Sequence, residues 1–316
     1  MTRIAILDDY QNVALDMADW SWLDVTVFNE PLDNPAETLK EFEIICIMRE
    51  RTPFPRKMFE QLPLLKLLVT SGKHNGAIDL DAARDHNVTV CGTSSPGHAT
   101  AELTWGLILS LTRQIPSQYQ NVREGRWQSG LGCDVRGKTL GIIGLGRMGT
   151  QVARIGQAFG MNVIAWSRNM TADQAAEHGA VYVEKEALFE QADIVSIHMK
   201  YSVAIKHLVG KKELGLMKES AYLINTSRAP IIDTDALIEV LQKGKIAGAG
   251  LDVYDIEPLP FDHPLRTSPN CVLTPHIGYV TRETYDVFYG ETVDVVRAFL
   301  EGNKLNEMTQ KICRTK

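Results

Sequence analysis

The sequence predicts an α/β chain of two domains, each built on a parallel sheet, and three patterns carry that expectation. From residue 3 to residue 92, short apolar runs (4–7, 25–28, 44–48, 65–69 and 88–91) alternate with polar, helix-like segments, the spacing of a small parallel α/β domain. Residues 139–168, TLGIIGLGRMGTQVARIGQAFGMNVIAWSR, read as strand, glycine turn, helix and strand, which is one βαβ unit. Downstream, Ser167, Arg168, His198, Arg228, Asp252 and His276 each fall just past an apolar run, where a doubly wound sheet places its ligand.

In chain order, the loop Thr70-Ser-Gly-Lys-His-Asn-Gly76 follows the fourth run of the first domain. Backbone amides at Ser71, Gly72 and Lys73 there are placed to hold a carboxylate, with Lys73 and His74 adding positive potential. On these residues alone a plain surface turn is an equal reading. Ser94-Ser-Pro-Gly97 breaks the chain before a long helix over 99–113, the pattern of a domain crossing. Residues 115–136 are polar and read as a long irregular loop, with Trp127 and Leu131 as its apolar exceptions, and such a loop suits wrapping a second subunit. In the βαβ unit, Val152, Ile155 and Phe159 share a helix face and Gly160 sits where a left-handed residue would stop the helix. Strands are expected over 192–197, 221–225, 246–251 and 271–274, a capped helix over 233–244, and a last helix over 282–302.

The glycine turn carries the first chemistry. Gly144 permits the tight turn, Gly146 lets backbone approach a pyrophosphate, and Gly149 lets the helix pack on the strand. The unpartnered amides and the positive dipole end of the helix favour an anion there. A dinucleotide enzyme for NAD usually carries Asp or Glu about 20 residues on, to bind the ribose 2′-hydroxyl. Here the position is Ser167, followed by Arg168 and Asn169, which suits a 2′-phosphate and favours NADP over NAD. A solvated surface charge is the plainer reading of Arg168.

The chain of 316 residues is 44% hydrophobic and 23% charged with net charge −6, so no basic balance points to nucleic acid or an anionic membrane. Cys46, Cys91, Cys133, Cys271 and Cys313 form no CxxC pair and read as reduced packing residues of a cytoplasmic protein; no metal-ligand cluster is present. The N-terminus runs straight into a strand rather than a signal peptide, and the apolar patch at 103–111 is too short to span a bilayer.

Hydride chemistry at a carbinol needs a proton donor near neutral pH, a cation for the substrate, and a group that orients the base. His276 is the natural acid/base, Glu257 can pair with it and stabilise the imidazolium, and Arg228 offers a fork for an α-keto carboxylate. Asp252 is placed for the nicotinamide ribose or carboxamide. Each has a plainer reading: a hydrogen-bonded core histidine, a solvated turn before Pro258, a surface ion pair.

Gly141-Ile-Ile-Gly-Leu-Gly-Arg-Met-Gly149, Ile224-Asn-Thr-Ser-Arg228, Gly250-Leu-Asp-Val-Tyr-Asp-Ile-Glu-Pro258 and Thr274-Pro-His-Ile-Gly278 together resemble, in order and spacing, the D-isomer-specific 2-hydroxyacid dehydrogenase family. The resemblance spans nearly the whole chain. It implies two Rossmann-like or flavodoxin-like domains with a cofactor cleft between them: residues 1–98 with 283–316 for substrate, and 99–282 for NAD(P). It implies that Arg228, Glu257 and His276 form a catalytic trio, that Ser71, Gly72 and Lys73 bind the substrate carboxylate, and that the protein is a homodimer. Gly144, Gly146, Arg147, Met148, Gly149, Ser167, Arg168, His198, Thr226, Asp252 and Gly278 would meet the cofactor.

Three positions depart from the family pattern. Ala229-Pro230 follows Arg228 where two glycines are usual, which should stiffen the loop; Lys200 replaces a common proline; and the loop at residues 71–79 lacks the usual Gly-X-Asp-Asn. The expected function is NAD(P)H-dependent reduction of a small 2-oxo acid of the glyoxylate or hydroxypyruvate type to a D-2-hydroxy acid. A phosphoglycerate dehydrogenase and a dinucleotide-sensing, corepressor-like binding protein are the alternatives.

Overall fold

The computed structural model describes residues 2–308, so Cys313 and the end of the expected C-terminal segment lie outside the described residues. The chain divides into two compact units, one of residues 2–96 with 280–308 and the other Gly97–Tyr279. In the first, β1 (Arg3–Ile6), β2 (Asp24–Val27), β3 (Ile44–Ile47), β4 (Leu67–Thr70) and β5 (Thr89–Gly92) form a parallel sheet in the order β2-β1-β3-β4-β5. The four-residue runs of β3 and β4 are buried throughout, which is why they read as continuous apolar segments rather than alternating ones. Glu307 pairs antiparallel with Cys91, and the Met308 amide donates to the Val90 carbonyl at 2.7 Å, so the outer edge of β5 is covered by the C-terminal segment.

The second unit holds β6 (Thr139–Ile143), β7 (Asn162–Trp166), β8 (Val181–Tyr182), β9 (Ile194–Ile197), β10 (Tyr222–Asn225), β11 (Gly248–Leu251) and β12 (Cys271–Leu273), again all parallel, in the order β12-β11-β10-β9-β6-β7-β8. Its register is level: Ile143 stands beside Trp166 and Ile197, Asn225 beside Ile197 and Leu251, and Leu251 beside Leu273. Six strands therefore end on one line, and the loops that leave them emerge at one edge. The helix Ala99–Thr112 lies against β10 and β11; a Cβ on Gly250 would stand 3.1 Å from the Cβ of Leu107, so a larger residue would force the helix away. Leu107, Ile108, Leu140, Ile142, Val152 and Ile224 fill this side, each large aliphatic contributing about 1.5–3 kcal/mol by leaving water.

The expected strands are all present, with ends shifted by one or two residues, and Gly160 is left-handed (φ 75°) after the helix Arg147–Ala158. The expectation of an irregular loop over 115–136 needs correction, because Ile115–Arg123 is a helix. Gln114 turns left-handed at its start and Pro116 supplies a preset φ in its first turn. Its apolar residues Ile115, Tyr119 and Val122 recur at helical spacing but are more than half exposed, so a short apolar face among mostly polar residues is not buried within this chain. No helix among the described residues is long and apolar enough to cross a membrane.

Candidate active site

At the end of β6 the chain turns through Gly144, whose φ of 95° suits glycine and whose missing side chain is required: a Cβ would lie 2.7 Å from the His198 carbonyl oxygen. A Cβ on Gly149 would approach the Gly144 oxygen to 2.1 Å, so the helix Arg147–Ala158 packs on the turn only because residue 149 has none. Gly146, the N-cap, makes no side-chain cap bond, and a Cβ there would meet nothing within 4 Å. The helix start is thus an open cradle of amides, which fits the pyrophosphate of a dinucleotide. Beside it, the Leu145 amide donates to the Ser167 hydroxyl at 3.1 Å, and the exposed Arg168 guanidinium donates to the Ala204 carbonyl at 3.0 Å. Arg147 lies against Gly97, where an added Cβ would stand 2.2 Å from the guanidinium.

Two expected cofactor residues prove to be hydrogen-bonded into the fold. His198 Nε2 bonds the Ser196 hydroxyl at 2.8 Å, and burial of the ring pushes its pKa down to about 4, so it is neutral at physiological pH. Thr226 is 7% exposed and shares a hydrogen bond of 2.9 Å with Thr104, a residue 122 positions earlier.

The loops after β10, β11 and β12 carry the candidate chemistry. His276, held at φ 54°, places Nδ1 2.6 Å from Glu257 Oε2, while the Tyr254 amide donates to Glu257 Oε1 at 2.9 Å. Burial acts to raise the Glu257 pKa, but the His276 hydrogen bond and charge, the Tyr254 amide and the charge of Arg228 outweigh it and hold the carboxyl below its usual range. The three residues of the expected trio are therefore close enough to feel one another, and with Nδ1 committed, Nε2 is the imidazole edge left for proton exchange. Arg228 donates through Nη1 to the Ser227 carbonyl at 2.7 Å. The Tyr254 hydroxyl donates to the Leu251 and Thr274 carbonyls at 3.1 and 3.0 Å, tying the loop of Glu257 to that of His276.

Asp252 does more for that loop than its sequence position suggested. Its carboxylate is 1% exposed and accepts from the Thr274 hydroxyl (2.6 Å), the Ile277 amide (2.8 Å) and the Gly278 amide (2.9 Å). Burial raises its pKa above the usual value, against these donors and the His276 charge. The carboxylate grips the chain on both sides of His276. Thr100, at the start of the long helix, donates to the Gly278 carbonyl at 2.8 Å and completes the frame. Thr100 and Thr104 escaped the sequence reading because nothing local marks a threonine whose partner is more than 100 residues away.

In the first unit, the loop at Ser71 is organised internally. The Ser71 amide donates to the Ile47 carbonyl (3.1 Å) and the Gly72 amide to the Thr93 hydroxyl (2.8 Å), so two of the three amides expected to hold a carboxylate are already committed. Arg49 Nη1 reaches the Ser71 carbonyl at 3.3 Å and covers Gly72, and Asn75 donates to the Arg49 carbonyl at 2.6 Å. Lys73 is exposed. Among the described residues no group of His, Cys, Asp or Glu is placed to hold a metal ion.

Comparison with known proteins agrees with this geometry. Residues 105–278 match the model of the D-isomer specific 2-hydroxyacid dehydrogenase, NAD binding domain. A glyoxylate reductase of Aeropyrum pernix is 42% identical over 72% of this chain and 71% of its own, and a hydroxypyruvate reductase of Blautia hydrogenotrophica is 28% identical over 96% and 98%. The crystal structure of a phosphoglycerate oxidoreductase from Vibrio cholerae superposes with a TM-score of 0.91 at 37% identity, over 96% of this chain and all of the other. With an open dinucleotide cradle and a Glu–His pair at the level end of one parallel sheet, the chain belongs to the D-isomer specific 2-hydroxyacid dehydrogenase family.

Proposed function

We propose that the protein reduces a small 2-oxo acid, of the glyoxylate or hydroxypyruvate type, to the D-2-hydroxy acid. The observation that carries this is the 2.6 Å contact between Glu257 and His276 Nδ1, which leaves Nε2 to deliver a proton. Gly144, Gly146, Arg147, Met148 and Gly149 would hold a nicotinamide dinucleotide, which would supply the hydride. His276 gives its Nε2 proton to the carbonyl oxygen as that oxygen gains charge. Glu257, whose carboxyl is held below its usual range, fixes the imidazole through Nδ1. Arg228 offers its fork to the substrate carboxylate and polarises the carbonyl. In the loop Ser71–Lys73 two of the three amides are committed, which leaves Lys73 as that loop's charged candidate for a carboxylate. The test is initial rates with NADPH and NADH against glyoxylate, hydroxypyruvate, pyruvate and a bulky aromatic 2-oxo acid, with chiral analysis of the product. D-product from a small acid is the expected outcome; no turnover with any pair, despite cofactor binding, would overturn the reading.

Ser167 and Arg168 support NADP as the preferred cofactor, since neither repels a 2′-phosphate and a guanidinium can pair with it. Arg168 then exchanges the Ala204 carbonyl for the phosphate. Arg168→Ala should lower kcat/KM for NADPH about 10- to 100-fold and leave NADH little changed. We also propose a homodimer held through residues 115–131, where Ile115, Tyr119, Val122, Trp127 and Leu131 are 51–93% exposed. Light scattering on the native protein decides that. The four cysteines among the described residues are free, which suits a reducing, cytoplasmic compartment.

A further inference from the structure

Arg228 follows the end of β10, and one neighbouring side chain bonds the backbone on both sides of the Ser227–Arg228 link. Asn225, the last residue of the strand, is 1% exposed. Its Oδ1 accepts from the Ser227 amide at 3.0 Å and its Nδ2 donates to the Arg228 carbonyl at 3.1 Å. Only this orientation of the carboxamide serves both partners, one a donor and the other an acceptor. The strand beneath it cannot yield, because Asn225 stands between Ile197 and Leu251 in the sheet and its carbonyl accepts from the Asp252 amide at 3.0 Å. The Ser227 hydroxyl adds a bond to the Ile197 carbonyl at 2.8 Å, and beyond Arg228 the chain enters a short 3₁₀ turn, Ala229–Ile231, whose Pro230 carbonyl accepts from the His207 amide at 2.8 Å.

We infer that Asn225 is the positioning residue that aims the Arg228 fork, and so governs affinity for the carboxylate of the substrate without touching it. The inference rests on the role proposed above for Arg228. The carboxamide holds residues 227 and 228 as a unit, accepting from the Ser227 amide and donating to the Arg228 carbonyl, and the Arg228 side chain bonds back onto the same unit through Nη1 to the Ser227 carbonyl at 2.7 Å. A fork must meet both carboxylate oxygens at once, and its affinity depends on aim more steeply than that of a point charge.

The test uses Asn225→Asp, which keeps the shape and the bond to the Ser227 amide but sets an oxygen against the Arg228 carbonyl. Asn225→Ser is the second variant; its hydroxyl can still accept from the amide two residues on while losing the second bond. The expected result is a KM for glyoxylate raised about 10- to 100-fold with the KM for NAD(P)H within twofold of the original, and equal weakening of oxamate binding to the cofactor-loaded protein by calorimetry. An uncharged substrate of similar size, methylglyoxal, should lose little. In an Arg228→Ala background, Asn225→Ser should cost nothing further. Equal losses on charged and uncharged substrates, or fully additive losses in the double variant, would overturn the inference and mark Asn225 as a general structural residue. If the native protein binds oxamate but turns over no 2-oxo acid, the proposed reaction fails while oxamate affinity still decides the role of Asn225; if it binds none, both fail.

Discussion

Two adjacent strands of the second unit each end in a buried polar residue that grips a functional loop, and the two grips differ in charge. Asn225, closing β10, holds the Arg228 loop with a neutral carboxamide; Asp252, just past β11, holds the His276 loop with a carboxylate. Both are 1% exposed. The difference follows what each loop carries. In the role proposed for Arg228, a buried anion beside the guanidinium would compete with the substrate for the fork. In its proposed role His276 gains and loses a proton, and two carboxylates hold it: Asp252 grips its loop and Glu257 bonds its Nδ1.

The comparison breaks most completely if the loops do not carry the proposed roles. His276→Ala should lower turnover about a hundredfold to ten-thousandfold while cofactor affinity, read by fluorescence titration, stays near its original value; full activity would dismiss His276 as proton donor. Arg228→Lys should reduce kcat/KM for the 2-oxo acid about a hundredfold, since an ammonium does not replace a bidentate fork, and an unchanged KM would contradict that role.

Asp252→Asn probes the grip rather than the group gripped. Asparagine has one acceptor oxygen where three donors converge, and its NH₂ would face an N–H or O–H. Chemical denaturation should show a loss of about 1–3 kcal/mol, with a fall in turnover of about tenfold. Unaltered stability would mean that the three bonds relax elsewhere.

His198 sharpens the comparison from the other side, as an ionisable group that burial keeps uncharged. The unfolded histidine takes a proton near pH 6.5 and the folded one only near 4. Between those values the unfolded chain binds more protons, so stability falls as pH falls through the window and is untouched above it. The full loss is about 3 kcal/mol, reached near pH 4. In His198→Gln the denaturation midpoint should fall less steeply between pH 6.5 and 4; an identical slope would show that other groups set the acid limb.

Much of this was legible in the sequence because the signals are local. Gly144, Gly146 and Gly149 are spaced by what a turn and a helix start demand, and the parallel strands read as apolar runs because both faces are buried. Glu257 and His276, 19 residues apart, were paired on chemical type and motif, and the side chains do meet. What stayed hidden depends on long-range partners. Nothing near Gly72 announces that Thr93 takes its amide, and nothing near Asp252 says that its carboxylate turns inward to Ile277 and Gly278 rather than outward to a ligand. The helix Ile115–Arg123 was missed for the opposite reason: its apolar face is present but is not buried in this chain.

The cover over β5 has a consequence for the life of the chain before it is fully folded. A parallel sheet whose outermost strand is Thr-Val-Cys-Gly offers an open ladder of amides and carbonyls to any other strand it meets. Glu307 and Met308 close that ladder from the far end of the polypeptide, so it stays open until more than two hundred further residues have been made. During synthesis the first unit is therefore exposed to strand-for-strand association with its own copies, and loss of those last residues would leave that hazard permanent.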